Sequence, residues 1–185
     1  MKKIAILASG NGTNAEAIIR HFKNGNQAKI ILVGSNNPEA HVLQRAERHG
    51  IAHFTFDKKE FDNGSVKAFL LLKGTDLIIL AGFLLKVPEN VIQAFPNAIV
   101  NIHPALLPKF GGKGMYGNRV HQVVKASGEK VTGITIHWVN EHYDEGEIIF
   151  QKEVAIEDTD TPEQIAEKVH ILEHKYYPKI IESLI

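Results

Sequence analysis

Apolar positions along the chain follow two alternating rhythms. Runs of strand length recur at 3–8, 28–33, 51–56, 76–81 and 98–103, and segments of helical period lie between them. The spacing predicts a helix over 13–22, where Ala15, Ile18 and Ile19 share a side, and another over 40–49, closed by Gly50. Further helices are expected over 65–73 and, briefly, over 89–94. The run Asp-Leu-Ile-Ile-Leu-Ala at 76–81 reads as the most deeply buried strand. Such alternation predicts a Rossmann-like α/β fold, a mostly parallel twisted sheet flanked by crossover helices.

Beyond His103 the rhythm changes. Pro104, Pro108 and glycines 111, 112, 114 and 117 mark a long loop of the kind that is functional or mobile in compact domains. A helix over 118–126 follows, then strands over 131–139 and 148–156, whose polar connection has no helical period and so predicts an antiparallel pair. Thr161, Pro162 and Gln164 read as N-cap, first helical residue and capping-box partner of a last helix that bends near Pro178. Without repeats, low-complexity tracts or linkers, residues 1–185 are expected to form one domain.

Composition narrows the function classes. The 21 lysines and arginines equal the 21 aspartates and glutamates, which argues against a general nucleic-acid binder and requires any anion to be held by a local site. The absence of cysteine excludes disulfides, thiolate metal sites and cysteine nucleophiles, and fits a cytoplasmic location. The apolar run that opens the chain stops at Ser9, too short for a signal peptide, and no run approaches the ~20 residues of a membrane span.

Three groups of residues carry candidate chemistry. Ser9-Gly10-Asn11-Gly12-Thr13-Asn14 joins the first strand to the first helix, where glycines allow close backbone approach and the helix N-terminus offers free N–H groups to a phosphate monoester. The turn also reads as a tight connection with Thr13 as N-cap. Gly10-x-Gly12-x-x-Ala15 meets the permissive dinucleotide pattern, yet no acid ends the second strand at Gly34-Ser35-Asn36, which disfavours a nicotinamide site, and no Gly-Lys-Ser/Thr follows to make a P-loop.

The strand 98–103 places Asn101 and His103 on one face at its carboxyl end, where ligands bind in open α/β sheets. Burying an amide and an imidazole there is costly unless each has partners. The strand 131–139 repeats the theme with Thr135 and His137, and leads into Asn140-Glu141-His142-Tyr143-Asp144-Glu145-Gly146. These histidines and acids lack a metal-binding spacing such as His-Glu-x-x-His, so no metal is expected.

Together with Ala81-Gly82-Phe83, Asn101-Ile102-His103-Pro104-Ala105-Leu106-Leu107-Pro108 and the spaced Gly133, Thr135, His137, Asp144 and Gly146, these segments resemble the glycinamide ribonucleotide transformylase family, in order and along essentially the whole chain. The Asn-x-His pair with the downstream aspartate marks the broader group of enzymes using 10-formyltetrahydrofolate, and the glycine turn narrows it to this family or the formyltetrahydrofolate deformylases. The resemblance implies the formyltransferase fold. It also implies transfer of the formyl group of 10-formyltetrahydrofolate, as co-substrate, to the glycinamide amine of 5'-phosphoribosylglycinamide in de novo purine biosynthesis. Metal and ATP are not implied. The expected partners are small-molecule substrates, with neither nucleic acid nor membrane, and the expected assembly is a monomer or homodimer.

Carried over by resemblance, Asn101, His103 and Asp144 are the catalytic trio. Gly12, Thr13 and Asn14 hold the substrate phosphate and neighbouring atoms, and Glu173 contacts the ribose hydroxyls. Leu84, Leu85, Lys86 and Val87, with Asn101 and with Asn140, Glu141, His142 and Tyr143, line the folate pocket. Departures from the family pattern are Gly64, where members can carry an arginine near the folate tail, and a slightly longer loop at 110–118; the sequence ends soon after the expected last helix, where some members carry a tail. His170 falls near the expected ribonucleotide.

Formyl transfer makes three demands: an oxyanion donor, which suits Asn101; a proton carrier titrating near neutrality, which suits His103; and a carboxylate to orient or assist it, which suits Asp144. A deformylase carries an additional N-terminal domain in front of the first strand, and a methionyl-tRNA formyltransferase a C-terminal RNA-engaging domain. Neither is expected here. A non-catalytic nucleotide-binding module needs none of the trio.

Overall fold

In a computed structural model, residues 1–25 and 27–185 are described. Seven strands form one sheet: β1 (Lys2–Leu7), β2 (Ala28–Ser35), β3 (Ala52–Thr55), β4 (Leu77–Leu80), β5 (Ile99–His103), β6 (Val131–Trp138) and β7 (Ile148–Ala155). Their order across the sheet is β3-β2-β1-β4-β5-β6-β7. The pairs from β3 through β5 are parallel, whereas β6 runs antiparallel to both β5 and β7, as the irregular connection before β7 predicted. The order reverses direction between β1 and β4, leaving a crevice beyond their carboxyl ends.

The helices are α1 (Thr13–Phe22), α2 (His41–Arg48), α3 (Lys58–Asp62), α4 (Ser65–Leu72), α5 (Glu89–Ala94), α6 (Asn118–Ala126) and α7 (Pro162–Ser183). Alternate strand residues feed opposite layers, because side chains in a strand point to opposite faces. Ile4, Ile6, Ile79 and Val100 pack with residues of α1, α2 and α7, while Ala5, Leu7, Ile78 and Ile99 pack with residues of α3, α4 and α5. Central strands covered on both faces must be apolar throughout, which is why β4 is Leu-Ile-Ile-Leu and wholly buried.

Helix α7 carries the anticipated capping box between Thr161 and Gln164 and continues through Pro178 to Ser183. Its Tyr177, fully buried, shares its hydroxyl hydrogen between the carbonyls of Leu80 (2.9 Å) and Val100 (3.1 Å), fastening β4 to β5 just before the catalytic candidates. Two local expectations are corrected. Gly12, at φ 75°, is the N-cap of α1 and Thr13 its first helical residue. Helix α3 was not anticipated, although Asp57 and Glu60 form a full capping box at its start.

Candidate active site

The carboxyl ends of β4 and β5 open into a cavity of about 690 Å³, a size that suits a small-molecule site. Ser9, at the end of β1, ties the crevice together. Its N–H donates to the Gly82 carbonyl (3.0 Å), its Oγ donates to Asn36 Oδ1 (2.6 Å) and accepts from the Leu84 N–H (2.9 Å). The first turn is thereby fastened to the segment after β4.

The β5–β6 register sets Asn101 opposite His137 and His103 opposite Thr135, so four polar side chains share one face. Thr135 is wholly buried and fully engaged. It donates to the Ala105 carbonyl (2.7 Å) and accepts from the Leu107 N–H (3.0 Å) and Gln151 Nε2 (2.9 Å), so it shapes the Pro104–Pro108 loop and is absent from the cavity wall. His137 has a different part. Its Nδ1 lies 2.8 Å from the Trp138 carbonyl and must carry the hydrogen, which leaves Nε2 to accept from Asn101 Nδ2 at 3.1 Å. One amide hydrogen of Asn101 is held there, and the second is left for a ligand.

His103 is 4% exposed, and its Nε2 donates to the Phe110 carbonyl at 2.7 Å. Its Nδ1 therefore faces Asp144, whose Oδ2 lies 3.5 Å away. Burial holds the His103 pKa below its ordinary value, against the opposing pull of the Asp144 carboxylate. Asp144 sits in the left-handed region at φ 56°, accepts the Gly112 N–H at 2.9 Å, and brings Oδ1 to 3.6 Å from His137 Nε2. Burial opposes its ionisation, but the imidazoles of His137 and His103 in their protonated forms, together with the Gly112 N–H, outweigh it and hold the carboxyl below the usual range. Gly146 lets this loop return against β6. A Cβ there would lie 1.6 Å from the Trp138 carbonyl oxygen.

A second polar group lies where α1 meets α7. Buried Glu173 accepts from Asn14 Nδ2 (2.9 Å) and from His170 Nδ1 (2.7 Å), and the bond to Glu173 raises the His170 pKa despite partial burial. All three line the cavity, as does buried His121 of α6. Asn14 Oδ1 and His121 Nδ1 are buried without a hydrogen-bond partner among the described residues.

Of the residues singled out from the sequence, Asn14, Leu84, Leu85, Lys86, Val87, Asn101, His103, Asn140, His142, Tyr143, Asp144 and Glu173 all line this one cavity. Gly12, Thr13 and Glu141 are not in its wall. Gly12 packs instead against α2, where a Cβ would stand 2.4 Å from Val42 Cγ2. A smaller cavity of about 250 Å³ shares the wall Leu84–Val87 and Tyr143 and adds Lys58 and Asp62. In the sequence His137 is marked only by its place on a polar face. Its signal was the alternation with Thr135, which cannot distinguish the two. His121 offered no signal, being one polar residue in an amphipathic helix. Among the described residues no helix is long and apolar enough to cross a membrane.

A mostly parallel sheet with an antiparallel C-terminal strand pair, and a buried imidazole between a half-buried amide and a half-buried carboxylate, define a class that the family comparison identifies. The formyl transferase family profile matches residues 2–181, and the chain belongs to that family. Within it the chain is 41% identical, over its full length and 95% of the other protein, to phosphoribosylglycinamide formyltransferase of Bacillus subtilis strain 168. It is 36% identical to the enzyme of that name from Haemophilus influenzae, over 98% of this chain and 86% of that one. The crystal structure of phosphoribosylglycinamide formyltransferase from Bacillus halodurans superposes with a TM-score of 0.91 at 38% identity, covering 99% of this chain and 95% of that one.

Proposed function

We propose that this chain, acting as a single domain, transfers the formyl group of 10-formyltetrahydrofolate to the amine of 5'-phosphoribosylglycinamide, a step of purine biosynthesis. One observation carries the reading above the others: Asn101, His103 and Asp144 converge in the same cavity as Asn14 and Glu173 and as the Leu84–Val87 wall. A phosphoribosyl amine and a folate formyl group therefore have a common place to meet.

The amine nitrogen attacks the formyl carbon, and the C=O electron pair moves onto oxygen. Asn101, with one amide hydrogen fixed on His137, directs the other to that oxyanion. His103, kept neutral by burial and with Nε2–H fixed on the Phe110 carbonyl, takes the amine proton on Nδ1. The nearby Asp144 carboxylate favours the resulting imidazolium. When the carbon–N10 bond breaks, His103 returns the proton to N10, giving the formamide and tetrahydrofolate with no net proton exchanged. Glu173 and Asn14 receive the ribose hydroxyls, the N–H groups at the start of α1 receive the phosphate, and the segments Leu84–Val87 and Asn140–Tyr143 receive the folate.

The test is formyl transfer with purified protein, 10-formyltetrahydrofolate and glycinamide ribonucleotide. The expected result is tetrahydrofolate release that requires the ribonucleotide and yields its formylated product. Donor breakdown that proceeds equally without the ribonucleotide refutes the reading.

A further inference from the structure

Helix α2 grips the first turn at three successive residues. The Val42 N–H donates to the Gly10 carbonyl at 3.1 Å. Arg45 donates from Nε to the Asn11 carbonyl at 2.8 Å and from Nη2 to Asn11 Oδ1 at 2.9 Å. Gly12 then backs onto Val42 so closely that even its Cα would be 2.9 Å from an added Cβ. The carbonyls of Gly10 and Asn11 are both spent on α2, and the N–H groups of Thr13 and Asn14, first in α1, have no intrahelical acceptor. The turn thus turns its acceptors to the protein and keeps its donors for an anion.

Arg45 is itself held from the opposite side. Its Nη1 lies 3.4 Å from Glu16 Oε2 on α1, and Glu16 is fixed in turn by Arg20 (2.8 Å) and His49 (2.8 Å). The Arg45 and Glu16 side chains are 18% and 13% exposed, so that pair is partly sheltered from water, whereas Arg20 and Asn11 lie at the surface. A planar guanidinium that bonds one residue twice and a neighbouring helix once sets the position of Asn11 as a single point charge cannot.

We propose that Arg45 is a positioning residue for phosphomonoester recognition: it touches no substrate atom and acts by holding Asn11, so that the N–H groups opening α1 are aligned on the phosphate. The inference rests on the reading that the first turn holds the phosphate of the ribonucleotide. A mere staple between α1 and α2 would stabilise the fold without distinguishing phosphorylated from unphosphorylated ligands.

The experiment compares wild type, Arg45→Met and Arg45→Lys, each checked for a cooperative thermal transition. Two readouts are taken: the ratio of kcat/KM for glycinamide ribonucleotide to that for its dephosphorylated riboside, and calorimetric binding of ribose 5-phosphate. In Arg45→Met the ratio should fall and the ribose 5-phosphate Kd should rise, each about tenfold, the scale of lost charge-assisted hydrogen bonds. Arg45→Lys, with a single anchoring group, should lie between, and it carries the test if the methionine variant does not fold. An unchanged Kd, equal losses for both substrates, or no binding of ribose 5-phosphate to wild type overturns the inference. Arg45-dependent binding of ribose 5-phosphate in a protein that formylates nothing upholds it while refuting the proposed function.

Discussion

Replacing Asp144 with asparagine removes one charge and almost no volume. The amide oxygen can still accept the Gly112 N–H, so the loop at 110–117 keeps its tether and the variant should fold. What is lost is the attraction between the carboxylate and the imidazolium that forms as His103 takes the amine proton, across the 3.5 Å from Oδ2 to Nδ1. With an effective dielectric constant of about 20, a unit charge pair at that separation is worth roughly 4–5 kcal/mol, or about a thousandfold in rate. Steady-state kinetics at saturating ribonucleotide and folate should therefore show kcat reduced about 10³-fold, with smaller changes in either KM. The pH profile should move as well. The carboxylate raises the His103 pKa while burial lowers it, so without the carboxylate the acid limb of kcat/KM shifts to lower pH. A folded variant whose kcat stays within about tenfold of wild type would refute the role given to the charge, since that leaves less than ~1.4 kcal/mol for it.

Removing the oxyanion donor, Asn101→Ala should lower kcat by about 10²–10³-fold in the same assay, and a smaller effect in folded protein would place the oxyanion elsewhere. Tyr177→Phe deletes a buried hydroxyl that fastens β4 to β5 and leaves the Leu80 and Val100 carbonyls short of a donor, so denaturant unfolding should reveal a loss of about 1–2 kcal/mol; an unchanged midpoint would show that the bridge contributes nothing. Burial opposes ionisation of Glu16, yet His49, Arg20 and Arg45 lower its pKa from 4.5 to about 2. The stability it supplies is complete above pH 4.5 and disappears as pH falls through about 2. Glu16→Gln should be less stable than wild type at neutral pH by about 1–2 kcal/mol, with the gap closing across that window; a gap independent of pH would contradict the ion network.

Much of the scaffold was legible in the chain because its signals are local. Helices α1, α5 and α6 have the boundaries that apolar spacing predicted, and the capping box at Thr161 starts α7 where expected. These features depend on contacts three or four residues apart, which the order of residues states directly. Helix α3 carries the same kind of local signal, since Asp57 and Glu60 stand at capping-box spacing, but its five residues are too few to show an apolar period. Asn101 and His103 were visible for a related reason: two costly polar groups at alternate positions of an apolar strand need a purpose.

The division of labour among the polar residues was not legible, because it depends on partners far apart in the chain. Thr135 and His137 look alike in sequence, two polar positions on one strand face. The β5–β6 register sets one against His103, where it saturates the Ala105–Leu107 loop, and the other against Asn101, where it orients an amide. Gly12 looked like part of an anion cradle and packs against Val42, while Arg45, an ordinary charge on an amphipathic helix, reaches back 34 residues to Asn11. Periodicity tells which way a side chain points, and folding alone tells what it meets. Hydrogen bonds reach about 3 Å, so the chemistry of this cavity belongs to neighbours that the linear chain keeps apart.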